Sequence, residues 1–273
     1  MKHMDNPAGR LHVLLLQLKE RGDNFSKALC AIYQVSYADA LGAAPVISRV
    51  VQLPDRAKAQ VLSLDDSLYD SDLILNWHPK VRNLLSKHAF NSASAGNTVV
   101  GTLDDSILLS LQFCSDLLHR HLPEYVPQDE ELQRIIGLIK ELRDEVSDPA
   151  LDPELRAFLL RHANDMEAAI VAFPIDGSPA LADALDKAVG SLNRRSDIVV
   201  KAEKAPSAWA KFGNLIVVVA AVCQITGAQL ALPSLIKQEL ASGTEGHTAQ
   251  VVIQRGGATA QHTVSHADVG KER

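Results

Sequence analysis

The chain has 273 residues, 47% hydrophobic and 22% charged, with a net charge of −6. This leaves room for a sizeable core in one large domain or two ordinary ones, and argues against a general nucleic-acid binder, which needs a positive face. Aromatic residues are only 4%, so the core must come from Leu, Ile, Val and Ala, a mix that favours helices over a β-sandwich.

At the N-terminus, the apolar run Val13–Leu16 is too short for the core of a signal peptide and leads straight into Lys19-Glu20-Arg21. The first hundred residues read as short helices at about 8–21, 25–34, 37–42, 45–52, 55–64, 67–76 and 79–89. Pro7, Pro54, Pro79, Pro127, Pro153 and Pro179 stand where helices should begin, since a first-turn proline lacks only an N–H that would be unpaired anyway. Asp152 and Ser178 precede two of them as N-caps. "NSASAGNT" (91–98) reads as a loop between the short helices and longer ones.

The long helices carry the clearest periodicity. Leu103, Ile107, Leu111, Cys114 and Leu118 share one face behind Thr102, whose pairing with Asp105 resembles a capping box. Leu132, Ile135, Ile136, Ile139, Leu142 and Val146 share a face behind Pro127. Behind Pro153 the apolar face is Leu155, Phe158, Leu159, His162, Met166, Ile170 and Phe173, with one histidine among its members. "SDIVVKAEKAP" (196–206) reads as a second linker.

The least ordinary stretch is 212–237, with no charged residue between Lys211 and Lys237. Leu215–Ile236 would make a helix about 33 Å long at roughly 1.5 Å per residue, enough for a bilayer core of about 30 Å. Gln224, Thr226, Gln229 and Ser234 fall on different faces, so such a helix must be buried in protein or in lipid. For lipid speak Trp209, Lys211 and Lys237 as anchors, the apolar Leu215, Ile216, Val217, Val218, Val219, Val222, Ile225, Leu235 and Ile236, and the small-residue pair Gly227 and Ala231. For protein speak the two glutamines, Pro233 and the Thr226-Gly227 break. Beyond it the tail is polar, with "TAQVVIQRGGATAQHTVSH" as a candidate hairpin about Gly256-Gly257 in an otherwise mobile segment.

The motifs that carry chemistry are sparse. Residues 35–53 scan as a helix, a turn at Gly42 and a second helix, the cadence of a helix-turn-helix, yet the second helix offers only Arg49 to a base edge. "KVRNLLSKH" places Arg82 six residues before His88 and resembles the short motif of HEPN-type ribonucleases. That resemblance implies a histidine that moves protons and an arginine that stabilises phosphate charge. Asp65, Asp66, Asp70, Asp72 and the pair Asp104 and Asp105 read as helix first-turn charges, lacking the glycine and closing glutamate of an EF-hand. His119, His121, His247, His262 and His266 have no zinc-ligand spacing with cysteines, and Cys30, Cys114 and Cys223 form no disulfide framework. No metal or cofactor is expected, and the odd, scattered cysteines point to a reducing, cytoplasmic setting.

The fold expected is all-α: a cluster of short helices over 1–95, a long-helix bundle over 96–200, a hydrophobic helix over 201–240 and a polar tail over 241–273. The function expected first is non-enzymatic: a helical sensing or interaction protein, self-associating or bound to a protein partner, whose hydrophobic helix sits at the inner face of a membrane. This layout resembles that of bacterial membrane-damaging and abortive-infection effectors. The alternatives are a soluble helical scaffold in which 212–237 is a core or oligomer-interface helix, and a HEPN-like ribonuclease.

Overall fold

The computed structural model describes residues 4–90 and 93–224. Its elements are α1 (Pro7–Lys19), α2 (Phe25–Ile32), α3 (Ala40–Val61), a 3-10 turn (Asp66–Leu68), α4 (Ser71–Ile74), α5 (His78–His88), α6 (Gly96–Val100), α7 (Asp105–His121), α8 (Asp129–Val146), α9 (Pro153–Asp176), α10 (Ser178–Arg194), α11 (Ser196–Ala202) and α12 (Pro206–Val222). The protein is all-α, as its periodicity implies, and no strand occurs among the described residues.

Local chemistry starts several of these helices. The Asn6 side chain accepts the Gly9 N–H at 2.8 Å, with Pro7 in the first turn of α1. Asp152 accepts the N–H groups of Glu154 and Leu155 at 2.9 and 3.1 Å, with Pro153 behind it. At α8, Gln128 and Glu131 form a reciprocal capping box, the Gln128 N–H reaching Glu131 Oε2 at 2.8 Å. Asp65 and Asp70 likewise accept backbone N–H groups two residues on, which accounts for acids at these turns without a metal.

Two apolar cores follow from the buried faces. The first joins α1–α7 around Leu11, Leu15, Phe25, Leu53, Trp77, Leu85 and Leu111. The second joins α8–α12 around Ile135, Leu142, Leu159, Met166, Leu185 and Phe212. The packing therefore divides at the connection 122–128, not at the expected 91–98. Helix α7 lies on α1, so residues 96–121 belong with the short helices rather than with the long bundle. Within 91–98 the chain is tied to the α1–α2 turn: Phe25 donates to the Ser94 carbonyl at 2.9 Å, and Asn97 to Arg21 at 2.8 Å. A side chain at Gly96 would meet the Leu18 carbonyl oxygen at 2.9 Å, so this close approach needs glycine.

Three further expectations differ from the structure. The three helices expected over 37–64 are one helix, α3, with Pro45 and Pro54 inside it. Burial of Ile47, Val50, Leu53, Ala57 and Val61 along one face outweighs the hydrogen bonds the prolines forfeit. The helix-turn-helix reading fails with it, since Gly42 lies within α3 and no turn intervenes. The linker expected over 196–206 contains α11, which buries Ile198 and Ala202 in the second core.

Helix α12 answers the question raised by the uncharged run for the part that is described. It packs chiefly on α8, and also against α10 and α11. Trp209, Leu215, Ile216, Val218, Val219 and Val222 are buried there, and Val217 is half-buried. Lys211 pairs with Glu145 on α8 at 2.6 Å. The helix ends at Val222, and Gln224 takes a left-handed φ of 56°, so the run is not one unbroken helix from Leu215 to Ile236. No helix among the described residues is long and apolar enough to cross a membrane. Ile225, Gly227, Ala231, Leu235, Ile236, Lys237 and the polar tail lie outside the described residues.

Phe212, Leu215, Ile216 and Val219 are each 0% exposed. At about 1.5–3 kcal/mol per buried side chain they contribute roughly 6–12 kcal/mol, comparable with the whole stability of a typical domain. A chain ending at Ala205 should therefore lose the cooperative unfolding of the second core in a urea titration. One ending at Gln224 should keep it. Equal midpoints for the Ala205 truncation and the full chain would remove α12 from the core.

Candidate functional site

Helix α9 runs from the second core into the first, where its last turn buries Ile175. A helix C-terminus leaves carbonyls without partners, and burying them demands donors. Arg10 of α1, 4% exposed, supplies them: its Nε donates to the Ile175 carbonyl at 3.0 Å and its Nη2 to the Asp176 carbonyl at 3.3 Å. The cation also suits the negative end of the helix dipole. Its other N–H groups reach the Met4 carbonyl at 3.1 Å and the Glu124 carboxylate at 2.7 and 3.3 Å. All five guanidinium donors are thus matched, which leaves Arg10 none for a ligand.

The Asp176 side chain continues the cluster. It is 9% exposed and accepts from Arg49 at 2.7 Å and from Arg56, both on α3. Glu124 accepts a further hydrogen bond from Gln60 of α3 at 3.0 Å. Tyr33 lies half-buried beside these charges; desolvation holds its phenol well above its usual range, with Arg10 opposing that and Asp176 adding to it. Gly177 then turns the chain into α10 with φ 71° and ψ −165°, a backbone region open essentially to glycine alone. A Cβ there would stand 2.1 Å from Glu124 Oε2 and 2.6 Å from Arg10 Nη1.

Above this buried cluster runs a groove of about 460 Å3 between α3, α9 and α10. Small apolar residues line it, with Ala169 and Ala184 buried, Ala180 half-buried and Pro45 and Ala168 exposed. One wall is basic, Arg49 and Arg56 of α3; the facing wall carries Asp165 of α9 with Asp183 and Lys187 of α10. Sequence reasoning missed both the cluster and the groove. The available signal was charge in apolar company: Arg10 between Ala8 and Leu11, and Asp176 after Ile175 at the end of a long apolar face.

The residues singled out from the sequence are not brought together. Arg82 pairs with Asp55 of α3 at 3.1 Å, an acid that also contacts His78 at 2.8 Å. His88, at the other end of α5, lies against Phe25 of α2 with ring centroids 6.2 Å apart. Burial, and secondarily Lys87, lowers its pKa below the usual imidazole value. The two side chains thus meet different neighbours. Arg49, the lone cation of the helix-turn-helix reading, is engaged with Asp176. Asp104 pairs with Lys80 at 3.3 Å and Asp105 with Lys19 at 3.0 Å. Among the described residues no group of three His, Cys, Asp or Glu side chains is placed to hold a metal. Cys30, Cys114 and Cys223 are free thiols, and burial raises all three, Cys114 and Cys223 to about 12, so none is an activated nucleophile.

Removing one member of a buried ion pair strands the other, at a cost of about 3–5 kcal/mol when both are enclosed. Arg10→Ala should approach that figure in a urea titration, because Glu124 and two α9 carbonyls lose their donor together. Asp176→Ala should cost less, about 1–2 kcal/mol, because Arg49 and Arg56 are about a third exposed and solvent screens them. Gly177→Ala should cost at least about 2 kcal/mol from backbone strain alone. An Arg10→Ala loss no larger than that of Asp176→Ala would contradict this ordering.

The chain matches no family model, no curated protein and no solved structure.

Proposed function

We propose that this is a non-enzymatic helical interaction protein that engages a protein partner through the groove between α3, α9 and α10. The observation that carries this reading is the groove itself: an alanine-rich lining that leaves room for a polypeptide backbone, flanked by charges of both signs. Small-molecule sites are mostly apolar with a few polar groups, and this groove has the reverse character. The partner segment that fits carries acids toward Arg49 and Arg56 and a base toward Asp165 and Asp183. The burial of α12 supports the scaffold form of the reading, in which the apolar run begins as a core helix. The free, unactivated cysteines are compatible with work in a reducing compartment.

A second reading keeps a membrane role and, by its layout, the effector analogy. It draws on the uncharged sequence that continues past Val222 to Ile236. With α12 in the core, any lipid contact falls to residues after Gln224. Flotation on vesicles by the full chain, but not by a chain ending at Gln224, would favour it.

The groove is tested by a photo-crosslinking residue at the exposed Ala168, compared with one at the exposed Lys140 on α8. A discrete adduct should form from position 168 alone. Exchanging the exposed wall charges, Asp183→Lys with Lys187→Glu, keeps the net charge and should weaken capture about tenfold, or about 1.4 kcal/mol, with thermal stability unchanged. An adduct indifferent to that exchange would reject the groove as the interface.

A further inference from the structure

The second core contains a feature that neither the groove nor the scaffold reading uses. His162 on α9 is 3% exposed and lies on the face that looks toward α12. Its ring sits 4.6 Å from the Phe158 ring and 6.5 Å from that of Phe212 on α12, centroid to centroid. Phe212 in turn stacks 5.9 Å from Trp209. These rings fill the space between α9 and the start of α12. Two polar atoms are enclosed among them with no hydrogen-bond partner, His162 Nδ1 and Trp209 Nε1. A buried polar group left unpaired is costly, and a buried unpaired charge far more so.

We propose that His162 makes the docking of the start of α12 acid-sensitive: protonation of its enclosed ring loosens the aromatic contact between α9 and the first turns of α12 and exposes Trp209 and Phe212, while the rest of α12 stays on α8. The surrounding charges give an imidazolium little compensation. On α9 itself, Asp165 approaches Nδ1 only to 3.9 Å and is 46% exposed on the groove wall, while Arg161 is one residue away and of like sign. From α12 the facing charge is Lys211, which is held by Glu145 of α8 at 2.6 Å. Also on α8, Arg143 is held by Glu167 and Asn164. Asp186 of α10 acts on Cys223 rather than on the ring. On α11, Asp197 pairs with Arg195, and Lys201 with Asp152 and Glu154.

The direction of the pH effect follows from burial. Burial lowers the His162 pKa below its ordinary 6.5, Asp165 offsets this in part, and Arg161 adds to it. The loosened chain therefore takes up its proton at higher pH than the docked one. Docking is at full strength above about pH 6.5 and weakens as the pH falls from there through the lower folded value. Trp209 is a direct reporter, because the chain has only two tryptophans and Trp77→Phe leaves it alone.

In that Trp77→Phe background, acrylamide quenching of Trp209 should rise severalfold between about pH 7 and about pH 5, and the rise should be reversible. His162→Phe, and independently His162→Leu in case the larger ring does not fit, should leave Trp209 protected across the range. Quenching that stays low in the His162 protein, or that rises equally in a folded His162 variant, overturns the proposal. A failed groove experiment would leave this result untouched, since neither exposed wall charge, Asp183 or Lys187, touches the ring cluster.

Discussion

Burying the C-terminus of α9 is the constraint on which the rest of the structure depends. A helix that passes from one core into another must bring its unpaired carbonyls with it, and those carbonyls need donors that water cannot supply. Arg10 meets that need. Once a guanidinium is enclosed, it requires a carboxylate, and Glu124, from the connection between α7 and α8, provides it. Asp176 extends the cluster to α3 through Arg49 and Arg56. The two cores are joined by one connected set of charges whose members come from α1, α3, the 122–128 connection and the end of α9. Gly177 is the backbone condition for it, because any side chain there would occupy the space of Glu124 and Arg10.

The groove is a consequence of this joint. Arg49 and Arg56 reach Asp176, and α10 begins directly after Gly177, with alanines of α9 and α10 lining the space beside α3. The two basic charges on the α3 side, Arg49 and Arg56, are therefore held by Asp176 beneath them. A preorganised charged wall loses less conformational entropy when a partner docks, which favours specific recognition over general stickiness. Helix α12 lies away from this joint, in the second core, where packing is almost wholly apolar and His162 and Trp209 are its enclosed polar exceptions. One end of the second lobe is thus locked by satisfied charges and the other rests on an aromatic contact that encloses two unpaired polar atoms.

Much of the fold was legible in the sequence because helical periodicity is a local property. The faces of α7, α8 and α9 were readable residue by residue, and Asp152-Pro153 marked a start that the structure keeps. Prolines misled where tertiary burial outweighed a lost hydrogen bond, at Pro45 and Pro54 inside α3. The small, polar 91–98 stretch read as a separator, but backbone hydrogen bonds to 21–25 hold residues 94–97 in place, and such pairing leaves no periodic trace. The candidate site was not legible. Its residues lie at 10, 49, 56, 124 and 176, and only folding shows that a lone Arg on one apolar helix meets a lone Asp at the end of another. Arg82 and His88 drew attention because they are near in sequence, yet six residues along α5 carry them to different neighbours.

Held together by the charge cluster, the two cores should unfold as one cooperative unit. Each core carries one tryptophan, Trp77 in the first and Trp209 in the second. Urea unfolding of the Trp77→Phe and Trp209→Phe proteins near pH 7.5 can follow each core by fluorescence and the whole chain by circular dichroism. Fluorescence and circular dichroism should coincide within each protein, as two-state behaviour requires, and adding Arg10→Met to each should pull them apart. Separate transitions for the two cores with Arg10 in place, or coincident transitions without it, would show that the cluster does not couple them.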